Sequence, residues 1–249
     1  MSELVFQNVN QTFFSENGKI EVLNDINFNL DENEIIAIVG PSGCGKSTIL
    51  NLICGLIKPT SGNIISNKKI GYMFQNDLLF SWRSVKNNVL LGLEVTHTKT
   101  KENIDYVMEL LRKYNLIDFK NHFPNELSGG MKKRVSLIRT LAVKPDILLL
   151  DEPFSGLDYQ TKLIVIDDIY RIIKTEQKSA IIVTHDIGEA IAFSNRVIIL
   201  TKRPSSIKKE IVINLNIEDQ TPIKAYKSPL FSQYFDLIHK ELDDYEDKQ

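Results

Sequence analysis

The residues best suited to do chemistry lie in residues 40–48, GPSGCGKST. Gly40, Gly45, Lys46 and Ser47 fit G-x-x-x-x-G-K-[ST], a glycine-rich turn whose successive backbone N–H groups can surround a phosphate chain. Residues 35–39 before it are an apolar run that reads as a buried strand, and residues 47–56 after it have helical periodicity. The loop therefore opens a helix, where free N–H groups and the helix dipole favour anions. Pro41, Ser42, Gly43 and Cys44 complete the turn, and Thr48 follows it. Lys46 brings a movable positive charge to the outer phosphates, and the Ser47 hydroxyl is placed to ligate magnesium. The expected ligand is a nucleoside triphosphate with Mg2+.

A second group of candidates ends the later strands. Residues 147–153, ILLLDEP, form an apolar strand closing on two acids. A parallel strand buried on both sides delivers its C-terminal residues to the ligand crevice, so Asp151 and Glu152 should face the phosphates. Neighbours on a strand point opposite ways, which divides their work. Asp151 can hold magnesium, and Glu152 can orient and deprotonate the water that attacks the γ-phosphate. His185 takes the equivalent place after the apolar strand 180–184, within reach of the γ-phosphate or the water. Gln75 ends the strand 69–74 and could touch magnesium or the water.

Residues 127–130, LSGG, precede the helix 131–142. Ser128 as N-cap, with Gly129 and Gly130 behind it, leaves helix N–H groups bare and makes another anion site. One triphosphate has no need of two cradles, unless the second serves another copy of the protein. The expectation is a head-to-tail pair in which each LSGG closes on the nucleotide of its partner.

Around these motifs the chain reads as strand, P-loop and helix at its start and alternating strands and helices at its end. Residues 3–9 and 20–28 are expected strands about a polar turn at 15–19, beside which Phe13 and Phe14 either pack the sheet or offer a face to a purine base. Residues 58–63, KPTSGN, read as a turn. Segments 84–93, 101–114 and 129–142 show apolar residues at three- and four-residue spacing, a helical insertion. Helices at 163–175 and 187–193 alternate with strands at 147–150, 180–184 and 196–200. The pattern implies a parallel sheet covered by helices on both faces. A strand at 211–215 and an amphipathic segment at 229–242 precede an acidic tail.

The 249 residues suit one large α/β domain. A net charge of −2 from 30 basic and 32 acidic residues gives no field that argues for nucleic acid as a partner. No apolar stretch approaches the ~18 residues that span a bilayer, and the N-terminus lacks a signal-peptide pattern, so a cytoplasmic location is expected. Cys44 and Cys54 suit free thiols in a reducing compartment, Cys44 as a small residue filling a tight loop.

Together GPSGCGKST, Gln75, LSGGM, ILLLDEP, the SGLD of residues 155–158 and His185 resemble the ATPase subunit of an ATP-binding cassette (ABC) transporter. The resemblance implies a P-loop NTPase fold: a RecA-like core with a parallel-rich sheet, N-terminal antiparallel strands and the helical insertion. Residues 1–75 and 145–215 would form the nucleotide-binding core, 76–144 the helical subdomain with the signature, and 216–249 a C-terminal helical tail of the single domain 1–249. It also implies a dimer sandwiching two ATP, with Phe13 as the base-stacking aromatic, Asp158 in a loop crossing the dimer interface and His185 as a switch.

A finer resemblance is to importer ATPases of the nitrate, sulfonate and taurine group, carried by FQNDLLFSWRSVKNNVLLGL, LSGGMKKR and KRPSSI. Phe80 stands where that group has proline, Ser205 where it has glycine, and Lys133 where it has glutamine. The resemblance implies membrane permease subunits met through Leu78, Leu79, Phe80 and Trp82, and indirectly a solute-binding protein. A soluble ABC ATPase would be expected to show a second cassette, a coiled coil or a zinc-binding insertion, and a GTPase an N-K-x-D element; neither is evident here.

Overall fold

A computed structural model describes residues 2–15 and 18–243. Its centre is a six-stranded sheet in the order β5-β6-β7-β3-β8-β9. Five strands run parallel: β3 (Ile35–Val39), β5 (Ile70–Met73), β6 (Ile147–Asp151), β7 (Ser179–Val183) and β8 (Arg196–Leu200). Only the edge strand β9 (Ile207–Val212) is antiparallel. All five residues of β3 are buried, as its uninterrupted apolar sequence requires of a strand covered on both faces.

Alternation along these strands divides the interior in two. Ile36, Ile38, Leu149 and Ile181 face one cluster, and Ile35, Ala37, Val39, Leu148 and Leu150 face the other. The first cluster is closed by α1 (Lys46–Ile53) together with a separate antiparallel sheet, β2-β1-β4, of β1 (Ser2–Ser15), β2 (Gly18–Asp31) and β4 (Ser61–Ile65). One face is thus shared between a helix and a small sheet, where the sequence pattern implied helices alone. The second cluster lies under α5 (Gly129–Leu141), α6 (Tyr159–Thr175), α7 (Ile187–Phe193) and α9 (Phe231–Asp243).

Between β5 and β6 run α2 (Val85–Val89), α3 (Leu91–Val95), α4 (Lys101–Lys113) and α5. The expected helix 84–93 is therefore two short helices, bounded at Leu90. Asn88, fully buried, shapes the preceding turn: its Oδ1 accepts from Phe80 N at 2.8 Å, and its Nδ2 donates to the carbonyls of Phe80, Arg83 and Ser84.

Three further boundaries differ from the sequence reading. The second half of the expected turn 58–63 is the start of β4, an edge strand of mostly exposed residues that carries no apolar alternation to betray it. β1 and β2 extend to Ser15 and from Gly18, and residues 16 and 17 of the polar turn lie outside the described residues. The last strand begins at Ile207, because its ladder with β8 starts at the Leu200–Ile207 pair; Ile213 and Leu215 bury their side chains beyond the strand's end. The C-terminal segment packs on the core through the fully buried Ile238, and Lys209 pairs with Glu241 at 2.7 Å. The acidic tail after it lies outside the described residues.

Candidate active site

The parallel register decides which residues meet at the strand ends. Met73 pairs with Leu150, Asp151 with Val183, and Ile38 with Val183. Gln75, Glu152 and His185 each follow within two residues of such a pair, and the P-loop follows β3. All therefore emerge along one edge of the sheet, as a doubly wound topology demands. Gln75 Nε2 donates to Glu152 Oε2 at 2.9 Å, and His185 Nδ1 lies 3.3 Å from Glu152 Oε1. Asp151 Oδ1 stands 3.5 Å from Ser47 Oγ.

Strict strand alternation does not separate the two acids. β6 ends at Asp151, and Glu152 lies past it at φ 43°, in the left-handed region. Its N–H still donates to Val183 O at 2.9 Å, so the residue is held at the ladder's end while its side chain turns toward Gln75 and His185. Non-glycine residues held in that region cluster at functional sites.

The P-loop forms as expected. Gly45 sits at φ 111° as the N-cap of α1, and a Cβ there would come within 2.9 Å of Leu23 and Val22. Only glycine allows both the conformation and the close approach to β2. Lys46 Nζ donates to the carbonyls of Gly40 and Pro41 at 2.8 and 3.0 Å, which keeps the ammonium folded against the loop. Cys44 is buried, and burial pushes its thiol up from its ordinary pKa, in keeping with a packing residue. Ser42, Gly43, Gly45, Lys46, Ser47 and Thr48 line a cleft of about 520 Å³, and Glu152 reaches it from the strand ends. Phe13 and Ile20, paired across β1 and β2, make its apolar side with Val22. Phe14, paired with Lys19, remains 76% exposed.

Ser47 and Asp151 present a hydroxyl and a carboxylate at the phosphate end, a hard oxygen set of the kind Mg2+ takes when phosphates complete its shell. Gln75, the third candidate ligand, bonds to Glu152 through its Nε2. Tyr72, which the sequence reading passed over, donates its hydroxyl to Asp151 Oδ2 at 3.1 Å. Burial, then Asp151, push that phenol far above its ordinary pKa, so it remains a donor. Asp151 itself is raised chiefly by burial, which the bonds from Tyr72 and Ser47 oppose.

Ser128, Gly129, Gly130 and Asp158 do not line this cleft. Ser128 caps α5, its Oγ accepting from Met131 N at 3.3 Å, and Asp158 caps α6 through Thr161 N at 3.1 Å. The two caps adjoin. A Cβ on Gly129 would approach Leu157 at 2.9 Å, and one on Gly130 would meet Val165 at 2.7 Å. Both glycines are thus needed for the signature to lie flat on the segment around Asp158, leaving Ser128 and Asp158 exposed together.

Lys133, one turn into α5, ties this helix to the strand ends. Its buried Nζ donates to Gln75 O at 2.7 Å and lies 3.4 Å from Asp77. Arg139 adds bonds to the carbonyls of Leu78 and Asp77 at 2.6 and 2.7 Å. Beyond these anchors Leu78 and Trp82 stand 54% and 72% exposed, while Leu79 packs on the core.

A phosphate-binding loop at the end of β3, two acids at the end of β6 one strand beyond its neighbour β7, and this topology define a P-loop NTPase. The ABC transporter family model matches residues 23–155. An uncharacterised ABC transporter ATP-binding protein of Bacillus subtilis, YtlC, is 43% identical, with 100% of this chain and 99% of that protein covered. The nitrate import ATP-binding protein NrtD of Synechocystis is 38% identical over 94% of this chain and 93% of its own. Among solved structures, the dimeric ATP-binding cassette MJ0796 in a post-hydrolysis state with ADP and Pi superposes with a TM-score of 0.72 at 32% identity, covering 85% of this chain and 99% of that one. The chain belongs to the ABC transporter family, as an ATP-binding, ATP-hydrolysing cassette.

Asp151 yields a test of the site's electrostatics. A carboxyl raised on folding makes the native state bind its proton more tightly than the unfolded chain does, so ionising it costs stability as pH rises through that range. D151N removes this cost. Thermal unfolding without nucleotide should show D151N above wild type at neutral pH, with the gap opening as pH rises above the ordinary aspartate range. Adding ATP and Mg2+ should raise the wild-type midpoint and leave D151N nearly unmoved. A D151N midpoint below wild type at pH 7 would contradict the assignment.

Proposed function

We propose that this cassette powers uptake of a small solute, of the nitrate, sulfonate or taurine kind, through a separate membrane permease. The observation that carries the reading is the split of its motifs. Gln75, Asp151, Glu152 and His185 converge on the P-loop, whereas Ser128, Gly129 and Asp158, with Gly130 buried behind them, form an exposed face of their own. Two chains placed head to tail bring that face onto the partner's cleft and complete two sites. The dimeric state of the MJ0796 cassette supports this arrangement, and the nitrate import relative supports the direction and class of cargo.

In each site Phe13 carries the base, and the N–H groups of residues 40–48 with Lys46 hold the phosphates. Ser47, Asp151 and Gln75 would hold Mg2+, which when bound neutralises charge on the outer phosphate oxygens. Glu152 accepts a proton from the water as its oxygen attacks the γ-phosphorus and the bond to ADP breaks. His185, resting on Glu152 Oε1, aligns that carboxylate and meets the γ-phosphate. Ser128 and the first N–H groups of α5 contribute the partner's share of anion stabilisation, and Asp158 contacts the partner across the interface.

Lys133 and Arg139 fasten the segment after Gln75, so closure of the dimer is transmitted to the exposed Leu78 and Trp82. That apolar surface is the permease contact. The protein then works at the inner face of the membrane, held there by its partner; among the described residues no helix is long and apolar enough to cross one. A solute-binding protein would meet the permease, not this chain.

E152Q should bind ATP and form dimers that wild type forms only transiently, with turnover lower by about 10²–10⁴. Gel filtration with ATP and a phosphate-release assay check both, and near-normal turnover would overturn the role of Glu152. Trp82→Ala should keep soluble ATPase activity yet fail to co-sediment with membranes that contain the permease. Unchanged co-sedimentation would remove the contact.

A further inference from the structure

We propose that Arg203 is a nucleotide-binding residue at the base end of the cleft, where its planar guanidinium lies against the purine. The inference rests on the nucleotide reading above. Residues 201–206 form the turn from β8 to β9, and that turn is fastened from two sides. Fully buried Ser205 donates its N–H to Val22 O at 2.8 Å, and its carbonyl accepts from Asn24 N at 2.8 Å. Its hydroxyl donates to the Cys44 carbonyl inside the P-loop. Thr201 N bonds to Ser206 O at 3.0 Å and closes the turn on itself. A single buried residue thus sets the distance between β2, the phosphate loop and this turn.

Arg203 stands two residues before that anchor and lines the cleft. Its neighbours are set by the anchoring. Ser205 bonds to Val22, and Val22 and Ile20 share the pocket-facing side of β2, with Phe13 opposite Ile20. Arg203 therefore shares the cleft with the apolar side that receives the base, on a turn that Ser205 ties both to β2 and to the phosphate loop, where Lys46 and the loop N–H groups already serve the phosphates. The residue is exposed and makes no hydrogen bond or ion pair among the described residues. Arg196, by contrast, is satisfied by Glu34 and Glu210. An unpaired guanidinium is flat, weakly hydrated and suited to stack on an aromatic ring. A purine entering over Phe13 supplies that ring, and the charge needs no phosphate for its place.

Calorimetric titration of the full-length protein with ATP and with ADP, in Mg2+, tests this against R203A, R203K and K46A. We expect R203A to loosen ATP and ADP by the same factor, roughly three- to tenfold, as stacking of this kind contributes. R203K should recover little, because an ammonium does not stack. Unchanged affinity in R203A would overturn the inference. So would a loss that grows from ADP to ATP and is restored by R203K, which would mark a phosphate contact. K46A separates the two levels: if wild type binds ATP, K46A weakens it and R203A matches wild type, the role of Arg203 alone fails. If wild type binds no ATP, both readings fail.

Discussion

The structure depends on the register of four parallel strands. Because β5, β6, β7 and β3 pair in parallel with their buried residues level, their carboxyl ends finish together. The residues at or within two positions of each strand's end are then delivered to one crevice. Gln75, Asp151 with Glu152, His185 and the P-loop come from parts of the chain far apart in sequence, yet meet within hydrogen-bonding distance. A one-residue slip of β6 would reverse which of its side chains face each core cluster. The two-sided burial that makes these strands continuous apolar runs is therefore also the constraint that fixes the chemistry.

The same rigidity accounts for the division of the site. α5 is packed against β5 and α6, with Val135, Leu137, Ile138 and Leu141 buried, so the signature at its N-terminus cannot fold back onto its own P-loop. In the proposed dimer it serves a nucleotide brought by another molecule. Lys133 gives this separation a consequence. In the proposed dimer one end of α5 meets the partner's nucleotide, while one turn later the same helix grips the backbone of Gln75, which touches Glu152 of its own site. The two sites of the proposed dimer would then be linked within each chain by a short series of direct contacts.

Much of this was legible in the amino-acid sequence, for identifiable reasons. The P-loop is written in backbone requirements that few residues satisfy, as the crowding around Gly45 makes plain. The strand-end residues were found because apolar runs mark buried strands and parallel topology carries their last residues to the crevice. Residues whose value lies in a distant partner were not legible. Tyr72 matters because Asp151 is beside it, and Ser205 because Cys44 and Val22 are. In sequence Lys133 and Ser205 stand out only as departures from the related importers, a signal that marks a position without giving its contact. β4 is not legible because Ser61, Gly62 and Asn63 precede its two apolar residues, Ile64 and Ile65, and that order shows no period. The left-handed turn at Glu152 was lost because strand alternation says nothing about the residue just past the ladder.

The central claim, that a working site needs the P-loop of one chain and the signature of another, is tested most directly by mixing two inactive proteins. K46A lacks a functional phosphate loop, and S128R blocks the signature face; each alone should hydrolyse almost no ATP. In a mixed dimer the intact loop of S128R faces the intact signature of K46A, so one of the two sites is whole. Mixing equal amounts should restore hydrolysis toward about a quarter of the wild-type rate. A mixture no more active than its components, or an S128R protein fully active alone, would contradict the account.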